Sequence, residues 1–100
     1  MSGFLSLGAW RARSAGRAAE AARVKALLAP LLALGPEDAL SVSEIACAEP
    51  GCPDVETVVL VMRLHEPTRA IRVRHPLGAI GPEECRAVAA EEALQRAPLP

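Results

Sequence analysis

The spacing of apolar residues divides the chain into a helix, three strands and a second helix. Between residues 24 and 31, Val and Leu side chains repeat at i, i+3, i+4 and i+7, the spacing of a buried helical face. Ser14 is a suitable N-cap and Pro30 removes a helical hydrogen bond. These signals predict a helix over about 14–29.

Alternation of apolar and polar residues then predicts strands at about 40–47, 55–64 and 69–75. The second strand is apolar on both faces, with Val55, Thr57, Val59 and Val61 on one and Val58, Leu60 and Met62 on the other. A strand of this kind is normally covered on both sides. We therefore expect a terminal segment or a partner chain to cover its second face.

Pro82, followed by Glu83 and Glu84, predicts the start of a last helix that runs to about Arg96. The order α-β-β-β-α with short turns predicts an α+β two-layer sandwich: a three-stranded antiparallel meander sheet with flanking N- and C-terminal helices. We expect a flexible N-terminus at 1–13, a single domain at 14–96 and a Pro-rich tail at 97–100.

The core is expected to be aliphatic, because the chain has only two aromatic residues among 100. Its predicted members are Val42, Ile45, Val55, Val58, Val59, Leu60, Val61, Ile71, Val73, Val88 and Leu94.

Charge and hydropathy exclude several classes of partner. The net charge of −1 gives no general attraction to nucleic acid, and no apolar run is long enough to cross a membrane. The third strand has an outer basic face at Arg72 and Arg74, but this face lacks the aromatic residues on which bases stack. A protein partner or a homo-oligomer is therefore expected. Cytoplasmic localisation is the first expectation, and the Arg-rich, acid-poor start makes a mitochondrial location the minor alternative.

The strongest candidate site is the turn that holds Cys47 and Cys52. Pro50 and Gly51 between them suit the central positions of a type II turn. A four-residue hairpin loop would set the two Cα atoms roughly 5 Å apart, which suits either a disulfide or a shared metal. Since structural zinc takes four ligands, further groups must contribute, and Cys85 in the first turn of the last helix could converge on the pair.

The predicted metal ligands are thus Cys47, Cys52 and Cys85, with zinc or an iron–sulfur cluster as the cofactor. Redox-active thiols and plain buried cysteines are the alternatives. The predicted register places His75 opposite Val58, too far from Cys52 to be a ligand. Cys52-Pro53 also resembles the Cys-Pro pair that opens a helix in sulfur-carrier proteins, although the residues that follow here predict a strand.

The sequence contains no phosphate-binding Gly-rich loop, G-x-S-x-G or H-E-x-x-H motif. We therefore expect a small non-catalytic accessory or interaction protein. The alternative is a cysteine-based metal, iron–sulfur or thiol-redox and sulfur-handling accessory protein that uses Cys47 and Cys52.

Overall fold

The computed structural model describes residues 2–46 and 55–97, with side chains from residue 16 onward in those ranges. The elements are helix α1 (Ser2–Leu32), strands β1 (Ala39–Ala46), β2 (Val55–Met62) and β3 (Arg69–Val73), a 3₁₀ turn (Leu77–Ala79) and helix α2 (Pro82–Arg96). The predicted order α-β-β-β-α is confirmed. Neither described helix is long and apolar enough to cross a lipid bilayer.

Both helices pack on one face of an antiparallel sheet whose strand order is β1-β2-β3. This arrangement confirms the two-layer α+β sandwich with a meander sheet. The buried apolar side chains form one cluster, comprising Val24, Leu28, Leu32, Val42, Val59, Val61, Ile71, Leu77, Ile80, Cys85 and Val88. The other side of the sheet, called the open face below, has no helix against it among the described elements.

Helix α1 begins earlier than predicted, at Ser2 rather than near Ser14. Residues 16–19 are exposed, and burial against the sheet and α2 develops only beyond them. The division of the chain into a flexible N-terminus, a domain and a tail stays a prediction.

Helix α1 also continues past its predicted end. Pro30 removes one backbone hydrogen bond, but Leu32 is 4% exposed and holds the last turn against the core. The helix ends at Leu32, and the next residue, Ala33, has a left-handed φ of 51°. The Leu34 N–H donates to the Ala29 carbonyl (3.5 Å), and the Ala33 N–H donates to that of Pro30 (3.3 Å), as in a Schellman closure.

The pairing of β2 with β3 differs from the predicted register by three residues. Arg72, rather than His75, lies opposite Val58. The difference arises at the turn: Arg69, the first residue of β3, pairs with Val61 rather than with Leu64, the predicted end of β2. His75 lies beyond the end of β3, where its carbonyl accepts a hydrogen bond from Thr57 Oγ1 at 2.9 Å.

Two residues predicted for the core are exposed instead: Leu94 is 72% exposed and Ile45 is 38% exposed. Leu31, which was placed on the buried stripe of the first helix, is 44% exposed. In α2 the buried face passes through Val88 and Glu92, so Leu94 points to solvent. The burial of Glu92 at 2% exposure was not predicted.

Besides the hydrogen bond between Thr57 and His75, three polar contacts fasten the loop between β3 and α2 to α1 and β1. Arg23 on α1 donates to the carbonyls of Ile80 (2.8 Å) and Leu77 (3.3 Å). Glu44 on β1 accepts a hydrogen bond from the Leu77 N–H at 2.9 Å. Since Leu77 and Ile80 are also buried, the loop fixes the position at which α2 starts.

Candidate functional site

The predicted cysteine site falls mainly outside the described part of the chain. Cys47 and Cys52 lie outside the described residues, so their pairing stays a prediction. Cys85 is fully buried in the first turn of α2. Burial raises the pKa of its thiol, and the nearby Glu84 acts in the same direction against the opposing effect of Arg23. Cys85 therefore stays protonated at neutral pH and packs as a small hydrophobe.

No group of three His, Cys, Asp or Glu residues that could hold a metal occurs in residues 2–46 and 55–97. A zinc or iron–sulfur site would thus depend on Cys47 and Cys52. The assignment of Cys47, Cys52 and Cys85 as metal ligands stays a prediction.

A buried ion pair joins the end of β2 to the inner face of α2. The guanidinium of Arg63 contacts the Glu92 carboxylate through two hydrogen bonds, Nε to Oε2 at 2.9 Å and Nη2 to Oε1 at 3.0 Å. The side chain of Arg63 is 7% exposed and that of Glu92 is 3% exposed. A bidentate pair of this geometry is among the strongest charge-assisted contacts in proteins.

Four more charged residues surround this pair and form what we call the charge network. Its members are Asp38, Arg63, Glu66, Arg69, Glu92 and Arg96. The three acids and three arginines balance in charge. Within the described residues, no buried side-chain nitrogen or oxygen lacks a hydrogen-bond partner.

Backbone contacts tie the charge network to the fold. Arg63 Nη2 donates to the Leu32 carbonyl at 2.7 Å, where the carbonyls at the end of α1 need partners. Asp38 accepts the N–H groups of Leu64 at 2.9 Å and Gly35 at 2.7 Å. One cluster of side chains therefore holds the end of α1, the β2–β3 turn and α2 together.

The same contacts shift the pKa values of the network. Hydrogen bonds from the Leu64 and Gly35 backbone lower the pKa of Asp38 below its ordinary value. Hydrogen bonds from Arg96 and Arg69 lower the pKa of Glu66. The hydrogen bond to Glu92 raises the pKa of Arg63. All three groups are thus held in their charged forms, as expected of a structural cluster rather than of a proton-transfer site.

Sequence reasoning missed this network, but part of its signal is present in the chain. Cys85, Val88 and Glu92 are three and four residues apart, so they share one face of a helix. A helix that buries Cys85 and Val88 therefore also buries Glu92. A carboxylate on such a face requires a buried cation. Which arginine supplies it depends on the fold, because Arg63 is 29 residues away.

A groove of about 520 Å³ runs between the outer edge of β3 and α2. Its apolar floor includes Ile71, Val73 and Val88, while its two rims are charged. The remaining lining residues are Ala70, Arg72, Arg74, His75, Glu83, Glu84, Ala87, Glu91 and Gln95. The acids of α2 that line this groove do not belong to the charge network.

The open face of the sheet is the second candidate surface. Val58, Leu60 and Met62 of β2 point to this side and are only half-buried. Across β1 their neighbours are small, because Ser43 lies opposite Val58 and Ser41 opposite Leu60. These three β2 side chains, called the aliphatic stripe below, therefore remain accessible to a partner.

Among the described residues, the charge network is closed, whereas the groove and the open face are candidate binding surfaces. Comparisons with protein-family models, with curated proteins and with solved structures find no match for this chain.

Proposed function

We propose that this chain is a small non-catalytic accessory protein that acts by binding another protein through the open face of its sheet. The observation that carries the proposal is the aliphatic stripe. Antiparallel sheets covered on one side normally carry polar residues on the other. Here Val58, Leu60 and Met62 occupy outward positions of the central strand and are only half-buried.

The surroundings of the stripe suit a protein contact. Small serines of β1 lie on one side. On the other side, Arg72 of β3 approaches Glu56 of β2 at 3.7 Å, so this border is polar. An apolar centre with a polar rim is the usual composition of a protein interface.

The size of the face favours a different protein over a second copy of this chain. With strands about 4.8 Å apart and outward residues about 6.7 Å apart, the face covers roughly 300 Å². Two such faces would bury roughly 600 Å², whereas stable interfaces bury about 1,200 Å² or more. A partner that also reaches beyond the sheet can bury the larger area.

The test compares the wild-type chain with Leu60→Lys and with Ala90→Lys, which places the same charge at an exposed position of α2. We expect the wild type and Ala90→Lys to bind the apolar dye ANS and to retain one common protein from a lysate. Leu60→Lys should do neither while keeping the melting temperature of the wild type. The retained protein is then identified, purified and titrated against all three chains by calorimetry.

Several outcomes would contradict the proposal. One is a wild-type chain that does not bind ANS and retains only proteins that Leu60→Lys also retains. Another is a purified partner that binds Leu60→Lys as tightly as the wild type. A dimer measured by light scattering that Leu60→Lys abolishes would instead assign the open face to a second copy.

The alternative function, a cysteine-based metal, iron–sulfur or thiol-redox accessory protein, depends on Cys47 and Cys52. Anaerobic purification, assay of metal and sulfide, and a count of reactive thiols test it. Bound metal lost in Cys52→Ser would support this alternative. Metal-free protein with three unreactive thiols, and an unchanged melting temperature in Cys52→Ser, would overturn it.

A further inference from the structure

The groove between β3 and α2 has the form of a site for an added strand. β3 lies at one edge of the described sheet, and alternate residues of an edge strand direct their N–H and C=O groups away from the sheet. Beside this edge, the groove provides about 520 Å³ with Ile71 and Val88 in its floor. An extended peptide can use both features, because the strand edge binds its backbone and the floor accepts its side chains.

The α2 rim of the groove carries a row of acidic groups. Glu83, Ala87 and Glu91 are spaced four residues apart, so they lie along one side of the helix. All three are exposed, and neither Glu83 nor Glu91 forms an ion pair with a described residue. The row therefore presents two carboxylates with a small residue between them.

The β3 rim carries the opposite charge. Arg72 points to the open side of the sheet, its side chain is 70% exposed, and its contact with Glu56 is a loose 3.7 Å. Arg74 follows β3 directly, lines the same groove and is exposed. A strand placed in the groove would thus have carboxylates on its helix side and guanidinium groups on its open side.

The spacing of these charges matches that of a β-strand. Glu83 and Glu91 are eight residues apart on a helix, which corresponds to about 12 Å at 1.5 Å per residue. Two strand residues four apart are separated by about 13 Å and point to the same face. A strand with basic residues at these two positions can therefore pair with both carboxylates, and the residue midway between them faces Ala87.

We propose that this groove binds an extended peptide as a fourth strand beside β3, with basic side chains towards α2 and acidic side chains towards Arg72 and Arg74. The peptide alternates in charge along its length because neighbouring strand residues face opposite sides. The site shares Arg72 with the border of the aliphatic stripe, but the proposal does not depend on the open face binding a protein.

Charge also argues against a second copy of this chain as the occupant. Pairing two β3 edges would bring Arg72 and Arg74 of one copy against the same residues of the other. The glutamates of the two α2 helices would likewise approach each other. Like charges in register destabilise strand pairs, whereas a peptide of alternating charge has the complementary pattern.

The experiment uses two fluorescein-labelled peptides of equal composition and the full chain. The first, Thr-Lys-Glu-Val-Glu-Lys-Thr, places both lysines and the valine on the helix side in either strand direction. The second, Thr-Glu-Lys-Val-Lys-Glu-Thr, exchanges the charges. We expect the first to bind at least about tenfold more tightly by fluorescence anisotropy, because only the first can place its valine on the apolar floor and its two lysines against the carboxylates at the same time. Added salt should weaken its binding.

Variants of the groove test the residue assignments. Glu83→Lys/Glu91→Lys should lose at least about tenfold in affinity for the first peptide and gain affinity for the second. Glu37→Lys, at an exposed position outside the groove, serves as the matched control and should keep the wild-type preference. In NMR titrations the first peptide should shift the amides of β3 and α2 more than those of β1.

Equal binding of the two peptides, or no binding of either at about 1 mM, would overturn the proposal. So would shifts confined to β1, or an unchanged preference in Glu83→Lys/Glu91→Lys. Concentration-dependent shifts of β3 amides without peptide would assign the edge to a second copy of the chain. Melting temperatures of each variant close to that of the wild type establish that lost binding is not lost folding.

Discussion

The charge network and the rims of the groove are built from the same residue types but differ in how their charges are satisfied. In the network, Arg63 and Glu92 are buried and bound to each other and to backbone groups. On the rims, Arg72 and Glu91 are exposed, and the two signs of charge stand on opposite walls. The first arrangement stabilises the fold, whereas the second leaves charge available to a ligand.

The charges of the network and those of the rims thus differ in their surroundings and not in residue type. A buried charge must be paired, because removing it from water costs several kcal/mol. An exposed charge costs little to leave unpaired. Opposite charges held apart by a groove are therefore available to a second chain that binds between them.

The largest expected effect comes from Arg63→Met. It leaves Glu92 buried with the more distant Arg69 and Arg96, at 3.7 and 3.8 Å. We expect the free energy of unfolding in urea to fall by about 3 kcal/mol. Arg63→Met/Glu92→Leu should recover much of the loss, because no buried charge then remains unpaired. A loss as small as that of Arg74→Met would contradict the distinction between network and rim.

The second-largest loss of stability is expected when the pH is lowered, because acids of the charge network then become protonated. The pKa values of Asp38 and Glu66 are lowered by the hydrogen bonds they accept. Their stabilising contribution is therefore complete above their ordinary values of 3.8 and 4.5 and is lost as the pH falls below them. Urea unfolding at pH 7, 5, 4 and 3 measures this loss.

A matched pair of variants assigns the acid effect to the network. Asp38→Asn should reduce the dependence of stability on pH between 5 and 3, since it removes one of the groups that titrate. Glu91→Gln, on the groove rim, should keep the dependence of the wild type. Equal pH dependence in all three proteins would show that the network does not cause the acid sensitivity.

A smaller effect is expected at the margin of the network. Arg96 is 42% exposed and contacts Glu66 at 3.1 Å. Arg96→Ala should cost about 0.5–1 kcal/mol, the range of well-placed surface pairs, when thermal unfolding is compared with that of the wild type. A cost equal to that of Arg63→Met would mean that burial does not set the strength of these contacts.

The smallest effect is expected on the rims. Arg72→Ala and Glu91→Ala should each change the free energy of unfolding by less than about 0.5 kcal/mol. Both should nevertheless weaken binding of the Thr-Lys-Glu-Val-Glu-Lys-Thr peptide. A large loss of stability in either variant would place that residue among the structural charges.

The sequence was sufficient for the fold class because its signals are local. The period of two along β2 correctly separates Thr57, Val59 and Val61 on one face from the outward residues of the strand, and Pro82 correctly marks the start of α2. The start of α1 was wrong, because Ser14 was taken as the N-cap, whereas the helix continues back through it to Ser2. The register of β3 was also wrong, because it depends on where β2 ends.

The two surfaces were predictable to different degrees. The aliphatic stripe follows from the two apolar faces of β2, and Arg72 was identified as an outward residue. The charge network could not be derived, because Asp38, Arg63 and Glu92 lie in three separate segments that only the tertiary fold brings together. The spacing of Glu83, Ala87 and Glu91 is visible in the sequence. It can be assigned to the wall of a groove only once β3 is known to lie beside α2.

The contacts of Arg63 also bear on folding kinetics. Its partners Leu32 and Glu92 lie 31 and 29 residues away in opposite directions along the chain. The three groups can meet only after both helices have docked on the sheet, so we expect them to form after the transition state. Arg63→Met should then accelerate unfolding with little change in the folding rate, as stopped-flow measurements in urea would show. The network would thus set how long the native state persists once it has formed.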